Sequence, residues 1–305
     1  MMNRLLFVLS LLLAVEAVAR PQVRVKRDPA TKVLTFYLEG KSSPGVLTLY
    51  FDLREVSNCN QSPGVYRYEI AQDGDSFLTL RPEDKTRDVG YNSAYRTFSG
   101  RVDSPVDTMF VYRIPATTQR PLQITPVRDD RDMDRPESER RIIGYSVGLE
   151  EGDTVYAARR GTVLWILSPA DSPVKRPDVK TTAGTVRLYV EHADGSRGCY
   201  TCLEAEHLLV GVGDEVLPGT PLGLAGSYDG EHHFTAFMLT RRAFDPGDDP
   251  LQAQPRTRYV KGRFATAEGD LFIGEKRVCQ GVMNDDLLLR ELSKRELKRW
   301  RALHR

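Results

Sequence analysis

The stretch GDTVYAARRGTVLWI (152–166), with TVRLYVEHADGSRGCYTCL (185–203) and VGVGDEVLPGTPLGLAG (210–226) after it, decides the fold. Short β-rich runs alternate here with Gly, Asp-Gly and Pro-Gly breaks, the pattern of successive hairpins in a compact antiparallel unit. In Val186-Arg187-Leu188-Tyr189-Val190 apolar and amphipathic residues alternate at period two, so one face of that strand is buried. Asp194-Gly195 supplies the positive φ angles of a tight hairpin turn. Gly213-Asp214 and Pro218-Gly219 bracket a further short strand, Glu215-Val216-Leu217.

The order of these phrases resembles the lysostaphin/LytM family of zinc peptidoglycan endopeptidases. The matching residues are Gly152, Val155, Ala157, Gly161 and Val163, then His192 and Gly195, then Tyr200, Cys202 and Leu203. Val210, Gly213, Asp214, Val216, Gly219, Leu222, Gly223 and Gly226 complete the series. The resemblance extends from about Gly45 to Cys279 and is specific between Gly152 and Gly226. It implies an antiparallel β-domain, and in the family that domain holds a catalytic zinc. Fold and site are nonetheless separate claims.

At the site the chain departs from the family pattern. The resemblance implies a zinc His and Asp from an upstream H-x-G-x-D phrase and a second zinc His from H-x-H. Counting back from Gly152 places Ser146 at the Asp position; the His position falls on Ile142, or on Glu139 if the phrase is longer. All five histidines (His192, His207, His232, His233 and His304) lie downstream of this region. The Y-x-H-L phrase reads Tyr200-Thr201-Cys202-Leu203, with Cys in place of the assisting His. In Glu231-His232-His233-Phe234-Thr235 the ligand position is Thr235 if His233 is the first His, or Phe234 if His232 is. A zinc site needs about three protein ligands plus an open position, so zinc is expected to be lost and no cofactor is expected. His192 is read as structural and His207 as a surface residue.

Working outward, 305 residues with 40% hydrophobic content support one large or two ordinary domains, and a net charge of +1 gives no global attraction to nucleic acid. Arg4, the apolar run from Leu5 to Val15 and Ala17-Val18-Ala19 read as a signal peptide over 1–19. No Cys follows the cleavage site, so the expected destination is the periplasm or the extracellular space, without a lipid anchor. Residues 20–118 read as an immunoglobulin-like β-sandwich, with Met109–Ile114 as its last strand. The nearly all-charged run from Arg128 to Arg141 makes 119–141 a solvated linker. The LytM-like domain then spans 142–280, with an insertion from Ser168 to Thr182 read as a hairpin tip and a closing β-hairpin over Arg258–Thr266 and Gly269–Gly274. The tail, 281–305, is helical: Asn284-Asp285-Asp286 starts one turn and Ser293-Lys294-Arg295-Glu296 forms a capping box. Lys294, Arg295, Lys298, Arg299, Arg301 and Arg305 against Glu296 give the last helix a net charge of +5. It is either a contact for anionic lipid or glycan polymers, or a solvated helix pinned by Leu297, Trp300 and Leu303.

Cys199-Tyr200-Thr201-Cys202 lacks the second C-x-x-C of a zinc ribbon and lies in a strand, unlike a thioredoxin-type pair. One of its cysteines is expected to bridge to Cys279 or Cys59, or to remain buried and free; the four cysteines suit an oxidising compartment.

The sequence thus predicts an all-β protein, a sandwich followed by a degenerate LytM-like domain and a short helical tail. Its expected role is exported and non-catalytic, binding peptidoglycan or a cell-wall amidase or other hydrolase, with no nucleic-acid partner. The expected groove comprises Tyr145, Ser146, Tyr200, Cys202 and His233. One alternative is an active endopeptidase with a rearranged site using Glu139, Cys202 and His233. Another is a structural or adhesive protein whose groove is filled by Ile142, Phe234 and the linker.

Overall fold

The computed structural model describes residues 20–303 apart from 133, 169–183 and 228, so the leader expected over 1–19 and the insertion beyond Ser168 lie outside the described residues. Six strands come first: β1 (Gln22–Arg27), β2 (Leu34–Glu39), β3 (Leu47–Ser57), β4 (Gly64–Ile70), β5 (Ser76–Leu80) and β6 (Gly90–Ser99). They form two three-stranded antiparallel sheets, ordered β1-β2-β5 and β4-β3-β6. Every second residue of β2 (Leu34, Phe36, Leu38) and of β3 (Leu49, Phe51, Leu53) is buried. Period-two burial on both sheets builds one shared core, with Phe36 and Phe51 edge to face at 5.3 Å. The two sheets thus make a β-sandwich around that core.

The next strand departs from expectation. β7 (Val111–Arg113) pairs in parallel with a strand near the C-terminus and leaves the sandwich. The reason is the alternate set Phe110, Tyr112, Ile114 and Ala116, all of which bury in the core of the second half.

That half is dominated by an eleven-stranded sheet. Its strands are β8 (Leu122–Arg128), β9 (Ile142–Leu149), β10 (Thr154–Tyr156), β11 (Gly161–Leu167), β12 (Thr185–Glu191), β13 (Arg197–Leu208), β14 (Glu215–Val216), β15 (Pro221–Ala225), β16 (His233–Ala243) and β17 (Arg256–Tyr259). After β18 (Arg263–Thr266) and β19 (Gly269–Phe272), β20 (Arg277–Cys279) completes it. The main path runs β14-β11-β12-β13-β16-β9-β8-β20, while β18 sits between β19 and β7 in a small separate sheet. The Asp194-Gly195 turn joins β12 to β13, with Gly195 at φ +84°. A side chain there would also meet Ser104 and Arg101, its Cβ 2.8 and 3.0 Å from theirs, so glycine lets the sandwich segment close onto this hairpin.

The expected linker is partly a strand. Leu122 and Ile124 alternate into the core, which commits β8 to the sheet between β9 and β20. The charged run beyond it stays exposed around two 3-10 turns, with one exception. Asp129 is buried and accepts hydrogen bonds from Arg131 and Arg141 at 2.8 Å each, which hold its carboxyl well below the usual range.

All four cysteines are free, so the expected bridge from Cys199 or Cys202 to Cys279 or Cys59 is not formed. Cys59 packs on the sandwich core, and Cys279 lies on β20. From β13 that is four strand spacings, about 19 Å, far beyond the ~7 Å a disulfide tolerates.

The tail contains α1 (Asp285–Leu289), capped by Asn284, and α2 (Lys294–Leu303). The capping box is present: Ser293 N donates to Glu296 Oε2 at 2.7 Å and Glu296 N to Ser293 Oγ at 3.3 Å. Glu296 also accepts from Arg160 at 3.0 and 2.8 Å, tying α2 to the turn between β10 and β11. Leu303, expected to help pin the helix, is 83% exposed.

Three outcomes are expected from this architecture. Denatured but unreduced protein should titrate four thiols, and two or fewer would mean that a bridge exists. Arg160 and Ser293 lower the Glu296 pKa to about 2 from 4.5, so the carboxylate's contribution is complete above its ordinary value and disappears as pH falls towards 2. Hydrogen exchange over 294–303 should therefore quicken between these pH values in the native chain and less so in Glu296→Gln. Ser293→Ala, which removes only the cap, should cost about 1 kcal/mol of local stability at neutral pH.

Candidate functional site

Three adjacent strands set the site. Phe237 on β16 lies opposite Tyr200 on β13 and Tyr145 on β9; Ala236 lies opposite Thr201 and Ser146. Phe237, Tyr200 and Tyr145 all point into the main core. Side chains alternate along strands, so Ala236, Thr201 and Ser146 occupy the other face. The same registers align Gly144, Met238, Cys199, Tyr189 and Trp165 in a neighbouring row across that face, from β9 to β11. Phe234 and Gly148 belong to a third row. The outcome is a sheet face whose Ser146, Ala236 and Thr201 row is small, flanked by Met238 and Phe234 in the rows beside it, with the half-buried aromatics Trp165 and Tyr189 at one side, their rings edge to face at 5.8 Å.

Two expected groove residues are therefore corrected. Tyr145 is 2% exposed and Tyr200 fully buried, both on the core face. The Tyr200 hydroxyl accepts from Ala158 N at 2.8 Å, and the Tyr145 hydroxyl donates to Gly262 O at 3.4 Å. Burial pushes the Tyr145 phenol up to about 12. They brace the floor from behind. Of the expected set, Ser146 alone stands on the open face; His233 is half-buried at the start of β16, opposite Leu149 and bridged to Ser227.

The expected ligand positions do not converge. Ile142 is in the apolar core. Thr235 pairs with Val147 on the core face, fully buried, and its hydroxyl donates to Thr201 O at 2.9 Å. Ser146 and Thr235 thus sit on opposite sides of the sheet. Glu139 belongs to an exposed 3-10 turn.

Cys202 is held in a bulge. Leu188 pairs with Tyr200 and Val186 with Leu203, so β13 places Thr201 and Cys202 opposite the single Arg187 of β12, and Cys202 takes φ +60°. It is 2% exposed, and burial, with Glu204 adding, pushes its thiol up to about 12. A neutral buried thiol is a poor nucleophile and a poor metal ligand. Among the described residues no three His, Cys, Asp or Glu side chains form a group that could hold a metal ion. An alkyl group, two hydroxyls and a protonated thiol do not fit the zinc of the resembled family.

The other histidines are engaged elsewhere. His192 is fully buried, its Nδ1 2.7 Å from Arg160 O, and burial followed by the Arg159 charge lowers it to about 3, which keeps the ring neutral. His232 leans into an exposed turn, 2.7 Å from Asp229, whose carboxylate also accepts from the Glu231 and His232 amides. Sequence reasoning missed the aromatic wall. The signal was present for Tyr189 alone, which falls opposite in phase to the buried Leu188 and Val190; Trp165 shares the phase of the buried Val163 and is brought beside Tyr189 by a bulge in β11. Arg197, itself buried, lies under the Trp165 ring at 4.9 Å.

No family model and no curated protein matches the chain. Among solved structures it is similar to the M23 metalloprotease pseudoalterin from the deep sea, at 16% identity over 58% of this chain and 99% of that one, with a TM-score of 0.31. It is also similar to an M23 peptidase structure from Pseudomonas aeruginosa, at 16% identity over 71% and 78%, TM-score 0.29. A zinc-containing peptidase from Vibrio cholerae gives 12% identity over 71% and 82%, TM-score 0.30. At these scores the solved structures carry no argument about the site. The chain resembles the lysostaphin/LytM peptidases through its ordered phrases between Gly152 and Gly226, carried on an all-β architecture and without that family's metal-ligand set.

Proposed function

We propose that this chain is an exported, non-catalytic cell-envelope protein whose degenerate LytM-like domain binds peptidoglycan or a cell-wall hydrolase such as an amidase. One observation carries the proposal: the sheet face bearing Ser146, Ala236 and Thr201 keeps small side chains at its centre while the metal-ligand positions are dispersed. An extended polymer would lie over the half-buried Ser146 and Ala236 with Trp165 and Tyr189 as an aromatic side wall, while Thr201, itself buried, supports the floor. Ile142 lies in the core and does not fill it. Catalysis through Cys202 is disfavoured because its thiol is neutral and buried. Loss of zinc does not threaten the domain, since its stability comes from buried strand faces.

The purified mature protein should carry far less than one zinc per chain by elemental analysis without chelator. It should co-sediment with purified sacculi or with a cell-wall amidase, releasing no muropeptides by chromatography. Ala236→Leu fills the floor without touching the core and should weaken that binding by about tenfold, the equivalent of roughly 1.4 kcal/mol. Stoichiometric zinc or muropeptide release would overturn the proposal, as would wild-type binding by the filled variant.

A further inference from the structure

We infer that α2 is a docking surface for a linear anionic polymer whose repeating charge is a phosphodiester. The inference concerns the tail and does not rest on the groove. The only acidic residue of α2, Glu296, is occupied by Arg160 and by the Ser293 amide. Just before the helix, Glu291 accepts from Arg159 at 3.0 and 2.7 Å, and its carbonyl accepts from Arg160 at 3.0 Å. These bonds turn Glu296 towards the domain and fix the helix against it. Left outward are Lys294, Arg295, Lys298, Arg299 and Arg301, all exposed, and among the described residues none of the five has an ion pair.

Their arrangement is regular. Lys294, Lys298 and Arg301 stand on successive turns of one ridge, about 6 and 4.5 Å apart along the axis. Together with Leu297 and Ala302 they make one open face of the helix. Like charges four residues apart weaken a helix unless an anion sits between them. The chain as a whole carries only +1, so this is a local field and not a bulk property. Lysine ammoniums serve as point charges for phosphate and arginine adds a bidentate fork. Because the helix is already fixed, little backbone ordering opposes binding.

A bilayer is the poorer occupant. An interfacial helix needs a broad apolar face to sink among headgroups. In α2, Leu297 and Trp300 are half-buried, and the strongly exposed apolar residue is Leu303 at the end.

The test measures binding of the full mature chain to a short fluorescent poly(glycerol phosphate) at rising NaCl, beside free glycerol phosphate and equimolar phosphatidylglycerol–phosphatidylcholine vesicles. Three to five phosphate contacts give a slope of log affinity on log salt of about −2 to −3.5. Lys298→Ala should make that slope shallower by about 0.7 to 1. The triple variant Lys294→Glu, Lys298→Glu, Arg301→Glu should lose binding while melting like the native chain, and Lys85→Glu, an exposed charge reversal in the sandwich, should bind normally. The inference is overturned if the native chain does not bind the polymer, if it binds the vesicles or the monomer equally well, or if Lys85→Glu is as damaging as the triple variant. Sacculi stripped of phosphate polymer still report on the groove, so the two proposals can fail separately.

Discussion

The position of Phe237 constrains nearly everything else in the second half of the chain. It has Tyr200 on one neighbouring strand and Tyr145 on the other, and the Tyr200 and Phe237 rings lie 4.9 Å apart. A slip of one residue in any of these three strands would move its ring to the open face. At roughly 25 cal/mol per Å² and 150–250 Å² per ring, that exchange costs about 4–6 kcal/mol for each. The alternation so enforced is also what delivers Ser146, Ala236 and Thr201 to one surface, and what sends Thr235 away from Ser146. Core and candidate site are two readouts of the same parity.

The sandwich contributes to that surface at a distance. Tyr50, Phe98 and Phe244 pack edge to face, which seats the outer face of β3 and β6 on the segment after β16. Beside this joint Glu191, buried, is 3.4 and 3.3 Å from the Arg197 guanidinium and accepts from the Arg101 amide at 2.8 Å. Arg197 also donates to Ser99 O at 3.0 Å while lying under Trp165. The aromatic wall is therefore oriented by a buried ion pair, and that pair is closed by backbone groups of the sandwich. Replacing both charges by apolar groups is often tolerated, whereas removing one leaves its partner buried and unpaired at a cost of about 3–5 kcal/mol. This makes the first domain a positioning element for the second.

Local signals were legible in the sequence and long-range ones were not. The Asp194-Gly195 hairpin and the capping box at Ser293 and Glu296 both depend on a few neighbouring residues. Which face Tyr145 and Tyr200 would occupy depends on pairing between β9, β16 and β13, which are far apart in the chain. The extra residue of the Cys202 bulge resets side-chain phase within β13, so counting in twos from Tyr200 fails beyond it. The same reason places β7 with the sandwich and β8 with the linker when the sequence is read alone. Their short apolar alternations fit either core, and only the partners β18 and β9 decide. The charged run after β8 hid Asp129, because no local pattern reveals that two arginines will fold back to bury a carboxylate.

The residues that stand where the resemblance would place ligands do structural work in this sheet. Ile142 belongs to the core, the Thr235 hydroxyl ties β16 to β13 through Thr201 O, and Cys202 is the turning point of a bulge whose carbonyl accepts from Gly226 N at 2.7 Å. An imidazole at 235 would have to fit a fully buried site and would withdraw the partner of a buried carbonyl, a loss of about 1–3 kcal/mol. A polar ligand at 142 would face apolar neighbours with no hydrogen-bond partner in place. A substitution at 142 or 235 therefore destabilises the sheet whatever else it introduces, because both positions are part of the packing that holds β9 and β16 together.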